Sequence, residues 1–168
     1  HSAHGYLLNQ FYSPISNRRE DSYTGETIEG RTRLHCQVIS AVREAVGPDF
    51  LVALRLGACD YQEGGSTQAD AVAACKIFEA AGIDILDISG GLCGYRGDGS
   101  KIPGYFGNES QAIREAVSVP VILTGGVRTG LAAETLLEEG KADLIGVGRS
   151  VLKDSSWAKK AFVELGIE

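Results

Sequence analysis

The chain of 168 residues has no methionine and one tryptophan. It has no apolar run near the ~20 residues that would cross a bilayer. Basic residues are in deficit, 16 Lys and Arg against 22 Asp and Glu, for a formal net charge of −6. That balance leaves no basic face for nucleic acid and no attraction to an anionic membrane. The start lacks the basic and apolar stretches of a secretory leader, and it lacks an initiating methionine, so residue 1 is not read as a native start. The four cysteines, Cys36, Cys59, Cys75 and Cys93, show no C-x-x-C spacing. This argues against a zinc or dithiol motif and for reduced thiols in a cytoplasmic protein. Only Cys93, in a glycine-rich stretch, stands out as a candidate reactive thiol.

What is present is a regular alternation. The pattern predicts a long amphipathic helix over 27–46 closed by Gly47-Pro48, then a strand over 50–56. A helix over 67–81 ends at Gly82, and a strand follows over 83–89. A glycine-rich loop over 90–107 leads to a helix over 110–117 capped by Ser110 or Asn108. The rest reads as a strand over 119–124, a helix over 131–139 stopped by Gly140, a strand over 142–148 and a closing helix over 154–165. Four βα repeats with near-continuous apolar strands predict a parallel sheet covered by helices. An open doubly wound sheet and a closed barrel both fit that pattern. The polar and glycine residues that collect after every strand favour a barrel, in which those ends converge on one site. A whole barrel takes ~250 residues. The chain is therefore read as α/β, the C-terminal half of a (β/α)8 TIM barrel in one partial domain over residues 1–168. Half a barrel has two open sheet edges and is expected to pair, as in a homo-oligomer, or to aggregate.

Candidate chemistry gathers at the strand ends. His1, His4 and Tyr6 place two imidazoles and a phenol within six residues, a set suited to holding a carbonyl oxygen and delivering a proton. They read as the end of a strand whose body precedes the chain; a flexible terminus is the plain alternative. The His-x-x-His spacing without an adjacent carboxylate argues against zinc. Thr124-Gly-Gly-Val-Arg-Thr-Gly130 and Gly146-Val-Gly-Arg-Ser150 each follow a strand and precede a helix. Backbone N–H groups there, with a helix N-terminus, suit a phosphate, and Arg149 could add a bidentate contact. Ordinary tight turns are the alternative. Arg55 sits inside an apolar strand; it either holds an electron-rich part of a ligand or forms a structural pair with Asp84 or Asp87. His35 reads as a surface histidine. The charged stretches at 18–21 and 29–33 read as a solvated face that also anchors the first loop. The Gly94-Tyr95-Arg96-Gly97-Asp98-Gly99 segment reads as a pocket cap or a mobile loop.

The stretch His1-Ser-Ala-His4-Gly-Tyr6-Leu-Leu-Asn-Gln-Phe-Tyr-Ser-Pro14-Ile-Ser-Asn17-Arg-Arg19-Glu-Asp21-Ser-Tyr23 closely resembles the signature of the Old Yellow Enzyme family of FMN-dependent ene-reductases. The likeness extends through Arg31, Arg33, Arg55, Thr124-Gly-Gly126 and Gly148-Arg149. It departs at Thr24-Gly25, where the family has Gly-Gly, and at Gly30, where it has Asn. The resemblance implies a barrel with FMN at its C-terminal mouth and NADH or NADPH as reductant. It also implies an activated alkene, an α,β-unsaturated carbonyl compound, as the small-molecule substrate. His1 and His4 would bind the substrate carbonyl and Tyr6 would protonate the α-carbon. Arg55 would contact the flavin ring, and Gly125, Gly126, Gly148 and Arg149 would bind the phosphate. The segment by itself is expected to be inactive. Two other readings stay open: a phosphate-binding barrel isomerase or aldolase, and a non-catalytic half-barrel binding module.

Overall fold

Three helices begin with the same device, a threonine whose hydroxyl accepts an N–H of the first turn and satisfies a donor that the helix itself leaves open. In the computed structural model, which describes residues 1–94 and 102–167, Thr27 caps Gly30 N at 3.1 Å, Thr67 caps Asp70 N and Thr129 caps Ala132 N, both at 3.2 Å. Asp70 reciprocates by accepting from Thr67 N, which completes a capping box. The helices so started are α2 (Ile28–Val46), α3 (Gln68–Ala80) and α5 (Gly130–Glu138); the others are α1 (Leu7–Tyr12), α4 (Gly107–Arg114), α6 (Arg149–Lys153) and α7 (Trp157–Glu164). They alternate with β1 (Ala53–Cys59), β2 (Ile85–Gly90), β3 (Val121–Thr124) and β4 (Leu144–Gly146), which pair in the order β1-β2-β3-β4, all parallel. This is the half-barrel arrangement of four βα units.

The strands do not bury both faces equally. Leu54, Leu56, Leu86, Ile88, Val121 and Leu123 are buried against α3, α4 and α5 through Phe78, Ile113 and Leu136. The opposite face carries Arg55, Asp87, Ile122 and Thr124, which are half-buried and line an open cleft. Period-2 alternation is thus present beneath strands that look almost uniformly apolar. Helices cover one face, and the other is the barrel interior.

Several predicted elements move. Phe50 and Leu51 are 62% and 61% exposed, and β1 starts three residues later and runs through Gly57-Ala58-Cys59. Pairing with β2, not apolar content, sets its limits. Ser110 and Asn108 do not cap α4; Phe106, 1% exposed, stands at the cap position, and Ser110 is buried one turn inside. Burial of the Phe106 ring decides the start over the local capping preference. The closing helix predicted over 154–165 starts later, as α7, where Asp154 accepts from Ser156 N and Oγ and from Lys160 Nζ just ahead of its first turn, and α6 is a short helix that the pattern did not predict.

His35 is a clear correction. It is fully buried rather than on the surface. Its ring stacks on Phe78 with centroids 5.1 Å apart, and its Nε2 shares a 2.7 Å hydrogen bond with Ser2 Oγ. Burial pushes the imidazole down to about 4. The mixed-charge stretch divides in the same way. Arg19 and Asp21 pair in the open. Arg31 is buried, donates from Nε to the Tyr12 carbonyl at 2.6 Å and meets Asp70 at 3.1 Å, so it anchors the loop before α2.

Candidate active site

The first strand-like residues extend the sheet past β1. Ser2 N donates to the Arg55 carbonyl and Gly57 N donates to the Ser2 carbonyl, each at 2.7 Å, which makes a parallel bridge with Leu56. The backbone then turns sharply, with His4 at φ 58° and Gly5 at φ 77°. A non-glycine residue in the left-handed region is uncommon, though histidine is among the types that tolerate it. The turn is held by His4 N on the Gly90 carbonyl and by Gly5 N on Asn9 Oδ1. It carries the His4 ring over the end of β2, where Nε2 and Ser89 Oγ lie 2.8 Å apart. Burial, and next the Arg55 charge, push the His4 imidazole below its ordinary value of 6.5, so it is neutral at pH 7. The His1 ring stands edge-on to His4 and to Tyr6, with centroids 5.4 and 5.3 Å apart. Tyr6 is 64% exposed.

Arg55 and Asp87 are register partners on β1 and β2, with Nε and Oδ2 2.8 Å apart. Burial raises the Asp87 carboxyl against the pull of Arg55. Asp84 lies elsewhere, against Arg43 and Val52 N. Of the two partners considered from sequence, Asp87 is the one that meets Arg55. The pair faces the cleft, so pairing and ligand contact do not exclude each other.

After β3, Gly125 and Gly126 take φ of 117° and 71°, conformations that L side chains rarely adopt. A Cβ at either would also lie within about 3 Å of the Tyr105 ring. After β4, a Cβ at Gly148 would meet nothing within 4 Å, so the backbone there is open to a ligand. Ser150 Oγ donates to the Val127 carbonyl at 2.9 Å and ties the two turns together. Arg149 Nη2 donates to Tyr105 Oη at 3.0 Å. One expected contribution is absent. The N-terminus of α5 is already taken by Glu164, whose carboxylate accepts from Gly130 N at 2.7 Å and Leu131 N at 3.3 Å. The candidates that remain at this end are the Gly125-Gly126 turn and Gly148-Arg149.

One cleft of about 890 Å³, within the size range of cofactor sites, is lined by His4, Arg55, Gly125, Gly126, Gly148 and Arg149. His1 and Tyr6 are grouped with His4 but stand outside that lining. Sequence reasoning passed over Ser89, Tyr105 and the cleft-facing role of Asp87. For Ser89 and Asp87 the signal was available: a period-2 reading of 85–89 puts both on the interior face with Arg55. Tyr105 had none, because its place depends on the path of the loop. Cys93 donates weakly to the Cys59 carbonyl, and burial pushes its thiol up to about 11, so it is not a reactive thiolate. The Tyr95 to Gly99 part of the suggested cap lies outside the described residues. Among the described residues, no group of three or more His, Cys, Asp or Glu could hold a metal, and no helix is long and apolar enough to cross a membrane.

Comparison with known proteins bears on the family and the fold. The chain is 41% identical over 166 residues to an NADPH dehydrogenase of Bacillus licheniformis, covering 98% of the chain and 48% of that protein. It is 37% identical over 167 residues to an NADH oxidase of Thermoanaerobacter brockii, covering 96% of the chain and 25% of that protein. Among solved structures, a 2-naphthoyl-CoA reductase complex superposes with a TM-score of 0.84 at 26% identity, over 99% of this chain and 26% of that one. The chain thus spans about half the length of the one relative and a quarter of the others. The model of the family described as NADH:flavin oxidoreductase / NADH oxidase matches residues 1–167, and the chain belongs to that family.

Proposed function

We propose that the intact protein is an FMN-dependent oxidoreductase that uses NADH or NADPH to reduce the C=C bond of an α,β-unsaturated carbonyl compound. The observation that carries this reading is that His4 and Arg55 line the same cleft as Gly125, Gly126, Gly148 and Arg149. A carbonyl-binding imidazole and an anion-binding turn pair thereby share one mouth. The residues fit FMN: the Gly125-Gly126 turn has the positive φ of a backbone cradle, Gly148 is open, and Arg149 supplies a cation for a phosphate. When bound, the flavin supplies hydride transfer from the reduced nicotinamide to the substrate β-carbon.

The chain's own groups do the rest. Arg55 places positive charge beside the ring site, and Asp87 behind it keeps the guanidinium in the cleft. His4, neutral at pH 7 and steadied by Ser89, donates to the substrate carbonyl oxygen together with His1 and favours the negative charge that develops there. Tyr6, in ring contact with His1, donates the proton to the α-carbon. Since the chain spans about half of its NADPH dehydrogenase relative, the activity is assigned to the intact protein, and residues 1–168 alone are expected to turn over little or no substrate. Tyr6→Phe in the intact protein tests the assignment. Loss of a general acid is expected to slow alkene reduction about 10²-fold while FMN stays bound. Undiminished turnover would remove Tyr6 from the proton-donor role, and absence of bound flavin in the wild type would remove the whole reading.

A further inference from the structure

Tyr105 has no part in the roles above, yet it meets both turns of the proposed phosphate end, at Gly125-Gly126 and at Arg149. Its ring lies where side chains at Gly125 and Gly126 would be: ideal Cβ atoms there would stand 2.8 and 3.0 Å from its ring carbons. The segment leading to it is fastened to the same turn, with Gly104 N donating to the Gly125 carbonyl at 2.7 Å. The ring is braced from behind by the buried Phe106, edge-on with centroids 4.7 Å apart. Its hydroxyl accepts the 3.0 Å hydrogen bond from Arg149 Nη2, although Arg149 lies 44 residues further on and follows a different strand. One side chain therefore spans both turns, roofing the first and holding the cation of the second.

We propose that Tyr105 is a positioning residue for the phosphate end of the cleft, holding Arg149 over the Gly125-Gly126 turn and so setting the preference for a phosphorylated flavin over its dephosphorylated form. The proposal rests on the reading of the cleft as an FMN site. A phosphate contact made by Arg149 is charge-assisted and planar, so it depends on where the guanidinium is held. Losing the hydroxyl removes this hold on the guanidinium while the ring packing over the glycines remains.

The test compares dissociation constants for FMN and riboflavin, measured by flavin fluorescence, in the intact wild-type protein, Tyr105→Phe, Arg149→Ala and the double variant. Tyr105→Phe is expected to weaken FMN about tenfold and to leave riboflavin unchanged. Adding it to Arg149→Ala is expected to cost nothing further, because the hydroxyl acts through Arg149. Equal losses for FMN and riboflavin would overturn the proposal in favour of plain packing, as would full additivity or no loss at all. In each of those cases wild-type binding of FMN over riboflavin would leave the FMN reading standing. A wild-type protein that binds neither ligand would overturn both.

Discussion

His35 makes stability depend on pH in a direction and window that the structure sets. Its imidazole is sealed between Phe78 and Ser2, and burial lowers it from 6.5 to about 4. The unfolded chain therefore takes up a proton that the folded chain refuses. Stability from this group is complete above pH 6.5 and is lost as pH falls from 6.5 towards 4. A separation of that size is worth about 3 kcal/mol when fully expressed, and about 2 kcal/mol of it is lost between pH 7 and pH 5. The assay is urea unfolding of the intact protein at the two pH values, followed by far-UV circular dichroism. His35→Gln keeps a polar tip for Ser2 and removes the titration. Wild-type stability is expected to drop about 2 kcal/mol more than that of the variant over this interval. Parallel losses would refute the argument. The effect reaches the site as well, because the Ser2 that His35 holds is two residues from His4 and pairs directly with the backbone on either side of Leu56.

Other expectations follow from the same contacts. Gly126→Ala forces a side chain into left-handed backbone, at about 1–2 kcal/mol, and against the Tyr105 ring; FMN affinity measured by fluorescence should fall at least about tenfold, and an unchanged affinity would mean the turn does not form the cradle. Arg31→Ala removes the buried cation between the Tyr12 carbonyl and Asp70. It is expected to lower stability by about 3–5 kcal/mol in urea unfolding, and a loss below about 1 kcal/mol would place Arg31 among the surface pairs.

Much of this site was legible in the sequence because turn chemistry is local. Gly125-Gly126 announces backbone that other residues avoid, and Gly148 marks a place after β4 where no side chain fills the cleft. The errors share a cause, which is that tertiary contact outweighs local pattern. His35 looked like a surface residue on a charged helix, and only the approach of Ser2 and Phe78 buries it. Glu164 occupies the start of α5 from 34 residues away, a contact invisible to spacing. The two departures from the family pattern answer each other in space. A Cβ at Gly30 would stand 2.4 Å from the Thr24 carbonyl oxygen and 2.7 Å from its methyl. Gly30 thus leaves room for both the backbone and the methyl of residue 24, and none of these atoms lines the cleft.

The most direct test of the account is anaerobic and spectroscopic. The intact protein is loaded with FMN, reduced with NADPH or NADH, and mixed with an α,β-unsaturated ketone while the flavin absorption band is followed. The account predicts bleaching by the nicotinamide and return of the band on addition of the ketone, with the return slowed in His4→Ala although FMN remains bound. A flavin that is reduced but never reoxidised by any such alkene would contradict the proposed reaction, and a protein that takes up no FMN would contradict the site itself.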